Sequence, residues 1–154
     1  MKAGAVAAAM ASLSVPAMAA SAEEDNCLWS KITPRRSTQY GPVVGLDQGE
    51  SLVWYGIPYG AAPVGELRWQ APQDPAVWTE AKDCTAPSEV AYQYGSGAIG
   101  TEDCLKLDVY TTPNAHKLPV LVFIHGGNNQ TGNTKESLGS ELVVRDNCVF
   151  VTLD

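Results

Sequence analysis

Val120 to Ile124 is an uninterrupted apolar run that leads straight into His125-Gly126-Gly127-Asn128-Asn129-Gln130-Thr131-Gly132. Such a run reads as a strand, and in open α/β sheets ligands gather at the carboxyl ends of strands. Glycine there lets backbone N–H groups approach a ligand closely. The segment therefore has the composition of an oxyanion hole, a set of N–H donors aimed at the negative oxygen of an acyl-transfer intermediate. A phosphate cradle is a competing chemistry, although Gly-x-x-x-x-Gly-Lys is absent. An ordinary strand-to-helix turn would have the same composition, so these residues alone leave the choice open.

The remaining reactive side chains narrow the field by what they lack. The four cysteines, Cys27, Cys84, Cys104 and Cys148, contain no C-x-x-C pair and have no His at ligand spacing, so no zinc or other metal site is expected; separately, no cofactor is expected. In an oxidising compartment four cysteines allow three pairings, and spacing alone does not choose among them; the shortest loop, Cys84 to Cys104, is the default. A net charge of −7 without a basic run argues against a nucleic-acid partner, which needs clustered Lys and Arg to displace counterions.

The elements that must position this chemistry follow a lead-in with a separate role. Lys2, the charge-free apolar run Ala3 to Val15 and the small residues up to Ala20 have the layout of a secretory signal peptide over residues 1–20, cleaved after Ala19 or Ala20. The mature chain is then expected to be secreted or periplasmic, and no later stretch is long and apolar enough to span a bilayer. Residues 21–40, with Glu23-Glu24-Asp25 and Arg35-Arg36, read as an irregular, solvated lead-in. Pro42 to Leu46 and Ser51 to Ile57 flank Asp47-Gln48-Gly49 and predict a β-hairpin. Residues 58–76 hold too many prolines for helix or central strand and predict an ordered loop, and residues 79–103 have no firm period.

The second half is more regular. Leu105, Leu107 and Val109 alternate with Lys106, Asp108 and Tyr110, which predicts a half-buried strand with the leucines and valine inward. Leu118 to Ile124 and Cys148 to Leu153 are continuous apolar runs, which predicts strands covered on both faces. Between them Leu138, Leu142 and Val143 fall on one face of a helix over Lys135 to Asp146, with Asn147 as its stop. Strand, loop, helix and strand over this length make a βαβ crossover.

Four segments in order, Gly56-Ile57-Pro58-Tyr59, Pro63 to Trp69, Glu102-Asp103-Cys104-Leu105 and Leu118 to Gly127, resemble the amino-terminal quarter or so of a type-B carboxylesterase, the family of cholinesterases and some fungal lipases. The resemblance runs from about Gly41 to Asp154. It implies an α/β-hydrolase fold, of which this chain carries the amino-terminal part: the hairpin and first strands at one edge of a mixed, largely parallel sheet, and Val120 to Ile124 more central. The organisation expected is thus a signal peptide over 1–20, a lead-in over 21–40 and a truncated esterase domain over 41–154.

The resemblance also implies roles. Gly127 and Asn128 become the oxyanion-hole donors, supported by His125 and Gly126; Cys84 and Cys104 become a disulfide; and Arg68 pairs with Glu102 beneath the active-site face. The substrate implied is a small-molecule carboxylic ester, cleaved through an acyl-enzyme. The nucleophile elbow Gly-x-Ser-x-Gly is absent, and Gly95-Ser96-Gly97 has neither its spacing nor a preceding apolar strand. Neither His116 nor His125 matches the catalytic histidine, so no triad member is expected within these residues. An esterase-like adhesion or carrier ectodomain without a nucleophile would share the same motifs. Two positions depart from the family pattern: Asn128 stands in a loop that usually reads Gly-Gly-Gly, and Gly60-Ala61-Ala62 replaces Ala-x-Pro.

Overall fold

The first described strands pair with near neighbours in sequence. In the computed structural model, which describes residues 34–95, 97–136 and 139–154, strands β1 (Arg35–Ser37) and β2 (Pro42–Val44) pair antiparallel. The segment 1–20, most of the lead-in, Cys27, Ser96 and Leu138 lie outside the described residues. The lead-in is thus not irregular to its end, because Arg35–Ser37 finds a partner strand in Pro42–Val44. The hairpin forms as β3 (Leu46–Asp47) against β4 (Leu52–Pro58). Its turn is closed by Gln48 N–H to Ser51 O at 2.9 Å and by Gly49 N–H to the Asp47 carboxylate at 2.8 Å, the local side-chain bond that makes Asp a turn residue.

After β4 the Pro-rich stretch carries only a short 3-10 turn at Gly65–Leu67 and is tied across its base by Ala61 N–H to Gln73 O, 2.9 Å. Short strands follow: β5 (Lys82–Asp83), parallel to β2, and the two-stranded ribbon of β6 (Gln93–Tyr94) and β7 (Ala98–Ile99).

Strand β8 (Lys106–Thr111) pairs antiparallel with β4 across a bulge between Trp54 and Ile57. Here the alternation misleads: Asp108 is 1% exposed and Tyr110 5%, while Leu107 and Val109 are only partly buried. The bulge is the cause. Gly56, in the left-handed region at φ 64°, turns its N–H onto Asp108 Oδ1 at 2.8 Å, so the carboxylate satisfies an amide that the ladder cannot. Tyr110 meets Tyr55 edge to face, with ring centroids 5.9 Å apart.

The crossover follows as expected in type. Strand β9 (Val120–Ile124), a 3-10 turn at Thr134–Glu136, helix α1 (Gly139–Asp146) and β10 (Val149–Leu153) make a βαβ unit, with Val149 opposite Val120 and Leu153 opposite Ile124 in parallel register. The helix stops at Asn147, whose φ of 50° is left-handed and whose N–H reaches Val143 O at 3.0 Å. Asn accepts that conformation more readily than other non-Gly residues.

The five-stranded sheet runs β3-β4-β8-β10-β9, with β10 antiparallel to β8, so it is mixed. One face carries Val53, Tyr110, Val143, Cys148 and Phe150; another cluster gathers Val43, Leu52, Trp54 and Cys84. Strand β9 is at the sheet edge, not central, and its residues are 42% to 73% exposed. Its apolar run has a hydrogen-bonded neighbour on one side only. Among the described residues, no helix is long and apolar enough to cross a membrane.

Candidate functional site

Strand β9 delivers His125 to the mouth of the glycine loop, and the loop then folds back on itself. Gly127 has φ 119°, Asn128 58°, Asn129 54° and Gly132 121°, four left-handed positions within six residues. The Gly127 carbonyl is turned inward, accepting from Gln130 N–H at 3.0 Å and Thr131 N–H at 3.2 Å. A side chain at Gly127 would collide with the Thr131 carbonyl, so only glycine fits there. The N–H groups of Gly127 and Asn128 donate to no acceptor among the described residues, and both residues are exposed. Adjacent amides freed by a turn of this kind form a concavity suited to an anion.

His125 stabilises this turn from its entry. Its Nδ1 lies 2.7 Å from the Gly126 carbonyl oxygen, a contact that requires the ring hydrogen on Nδ1. A side chain on Gly132 would strike the same ring and the same carbonyl, so Gly132 closes directly against His125 and Gly126.

The residue that holds Gly132 gave no signal in the sequence. The Gln93 carboxamide accepts from Gly132 N–H at 3.0 Å and donates to Gly132 O at 2.8 Å, with a further bond to Ala91 O at 3.1 Å. A polar residue in a stretch without period, on a strand two residues long, is indistinguishable from a loop residue until its partner is known. Gln93, His125, Asn129, Gln130, Gly132 and Asp154 line a pocket of about 260 Å³. Asp154 accepts from Thr134 N–H at 3.1 Å, and its main-chain carbonyl accepts from the Tyr59 hydroxyl at 2.6 Å. Burial raises the carboxyl pKa of Asp154, opposed by the Thr134 N–H and by His125. Burial also raises that of Asp108, opposed by the Gly56 N–H and Thr134.

Arg68 Nη1 stands 3.0 Å from Glu102 Oε1, joining the Pro-rich loop to the Glu-Asp-Cys segment. Both side chains are about half exposed, 50% and 42%, so the pair is a surface tie of small energetic weight. It lines a recess with Pro63 and Trp69 that shares no residue with the loop pocket. His116 is exposed on the loop before β9.

The expected disulfide is corrected: Cys84 and Cys104 are free thiols, as is Cys148. Cys84 donates its N–H to Val44 O and accepts from Tyr55 N–H, both at 2.8 Å, which seats it in the core on the β3 side of β4. Cys104 leads into β8 on the other side of β4, beside Tyr59. The four residue steps of extended chain from Tyr55 to Tyr59 span roughly 13 Å, beyond the ~7 Å between Cα atoms that a disulfide tolerates. Burial pushes the Cys84 thiol up to about 11 and also raises Cys104, so neither is a thiolate at neutral pH.

Residues 32–154 match the model of the carboxylesterase family. The chain is 38% identical over 129 residues to a para-nitrobenzyl esterase of Bacillus subtilis, covering 77% of this chain and 26% of that protein. It is 36% identical over 145 residues to a medium-chain fatty acyl-CoA hydrolase precursor of Anas platyrhynchos, covering 78% and 26%. Among solved structures, a PNB esterase superposes with a TM-score of 0.74 at 35% identity over 79% of this chain and 27% of its own. A Geobacillus stearothermophilus carboxylesterase superposes with a TM-score of 0.71 at 34% identity, over 78% and 26%. The chain thus spans about a quarter of the length of the relatives it matches.

Proposed function

Because the chain belongs to the carboxylesterase family and carries the amino-terminal part of an α/β-hydrolase fold, we propose that it supplies the oxyanion-hole loop of an exported carboxylic ester hydrolase whose serine, acid and histidine lie in further chain. The observation that carries this reading is the pair of uncommitted N–H groups of Gly127 and Asn128 at the carboxyl end of β9. When a serine attacks an ester carbonyl, the carbonyl oxygen gains negative charge, and donors already fixed in place lower the energy of that state without reorganising. His125 and Gly126 hold the turn; Gly127 and Asn128 donate. Asn128 serves as well as glycine because the donor is backbone, and its left-handed φ of 58° is one that Asn tolerates.

The exposed face and edge of β9 are where the remaining chain would attach, bringing a neighbouring strand and its nucleophile beside the loop. A small-molecule carboxylic ester fits the chemistry of an N–H pair with no charged clamp. Export rests on the charge-free apolar run after Lys2 and its small-residue end. The test is expression of the complete reading frame and assay with a p-nitrophenyl ester. Turnover abolished by a serine-directed phosphonate is expected. A folded, exported protein with neither turnover nor labelling would overturn the reading and favour a non-catalytic ectodomain.

A further inference from the structure

We propose that Gln93 is a positioning residue for the oxyanion loop, acting through Gly132 and not on substrate; the catalytic part of this inference rests on the esterase reading above. Gln93 engages both main-chain groups of Gly132, Oε1 accepting its N–H at 3.0 Å and Nε2 donating to its carbonyl at 2.8 Å, the pairing that one strand makes with another. The second Nε2 hydrogen goes to Ala91 O at 3.1 Å, so both donor hydrogens are committed and the carboxamide has one orientation.

This clamp acts on the donors through contacts too close to slide. Gly132 is buried and presses on the His125 ring and the Gly126 carbonyl, where a Cβ would not fit. His125 Nδ1 in turn bonds the Gly126 carbonyl at 2.7 Å, the carbonyl of the same planar peptide unit that carries the Gly127 N–H. The loop is otherwise held by its own turn bonds, by β9 and, at its exit, by Thr134 N–H on the Asp154 carboxylate at 3.1 Å. Gln93 sits in the β6/β7 ribbon, 39 residues away in sequence, so the bond makes the loop's geometry depend on a second element.

Two variants of the complete protein separate positioning from packing. Gln93→Met keeps the volume and removes all three bonds. Gln93→Glu keeps the acceptor for Gly132 N–H but, when ionised, turns an oxygen on the carbonyls of Gly132 and Ala91; once protonated, it regains one O–H donor. Both should lower kcat at neutral pH roughly 10-fold to 100-fold with KM within about threefold, since small displacements of catalytic donors cost rate before binding. Measured against wild type at each pH, the deficit of Gln93→Glu should shrink towards pH 5, while that of Gln93→Met stays level. Tyr92, His125 and Asp154, the titratable neighbours in the pocket, are common to all three proteins and cancel in the ratio.

Hydrogen-exchange mass spectrometry on peptides covering 125–132 should show faster exchange in Gln93→Met, and this readout does not require activity. Wild-type kcat and unchanged exchange in Gln93→Met would overturn the clamp. If the wild-type protein hydrolyses no ester, the esterase reading fails, and the exchange result alone upholds or overturns the structural clamp.

Discussion

At Asn128 the sequence departs from an all-glycine loop, yet its φ of 58° is one where glycine and asparagine are both at ease. Asn128→Gly should therefore leave ester hydrolysis within about threefold of wild type. Asn128→Pro removes the N–H and forces φ to about −65°, and kcat should fall by roughly 10² to 10³. Steady-state kinetics that put the two variants at the same rate would mean that the amide side chain carries the function. Asp108 offers a test of stability in place of rate. Its carboxyl pKa is raised by burial, so the folded state holds its proton to higher pH than the unfolded chain does. This group's contribution to stability is therefore most favourable at low pH and is lost as pH rises through the folded value. Asp108→Asn keeps an acceptor for the Gly56 N–H without a buried charge. Its urea midpoint should exceed wild type at pH 7, by a margin that closes towards pH 4; a margin constant with pH would remove burial of charge as the cause.

At the scale of elements, local signals were readable where one strand or one turn decides the outcome. The hairpin at Asp47-Gln48-Gly49 and the Asn147 stop follow from turn chemistry, and the β9-α1-β10 crossover from apolar runs bracketing a helical period. What the sequence hid depends on contacts between elements. The alternation in β8 predicts leucines inward, but the β4 bulge needs an acceptor and takes Asp108. Gln93 is legible only once Gly132 is seen beside it. The glycine-rich loop after β9 is visible as composition, whereas its geometry rests on four left-handed φ values that no spacing encodes. The disulfide failed because β4 lies between two cysteines that are close in sequence. Strand β9 yields a prediction of its own. Val122, 55% exposed here, should be covered once further chain pairs with the edge. Val122→Lys should then make the 154-residue chain less prone to aggregate, yet destabilise the complete protein by about 3–5 kcal/mol through an unpaired buried charge. Equal tolerance in both would place β9 at a solvent-facing edge throughout.

For the whole molecule, the proposed oxyanion loop should turn over no ester unless a nucleophile, base and acid join it, because those groups act as a unit. The 154-residue chain alone should show no inhibitor-sensitive turnover of a p-nitrophenyl ester. If the protein is exported as proposed, amino-terminal sequencing of the secreted material should begin at Ala20 or Ser21, and an intact Met1 there would remove the signal peptide from the account. The central claim is that Gly127 and Asn128 bind the oxyanion, and a crystal structure of the complete protein with a phosphonate on its serine addresses it directly. The phosphoryl oxygen should lie within hydrogen-bond distance, about 2.7–3.1 Å, of both the Gly127 and Asn128 nitrogens, with the loop in its present left-handed turn. A phosphoryl oxygen held by other donors, or an adduct on a residue remote from the end of β9, would contradict the account.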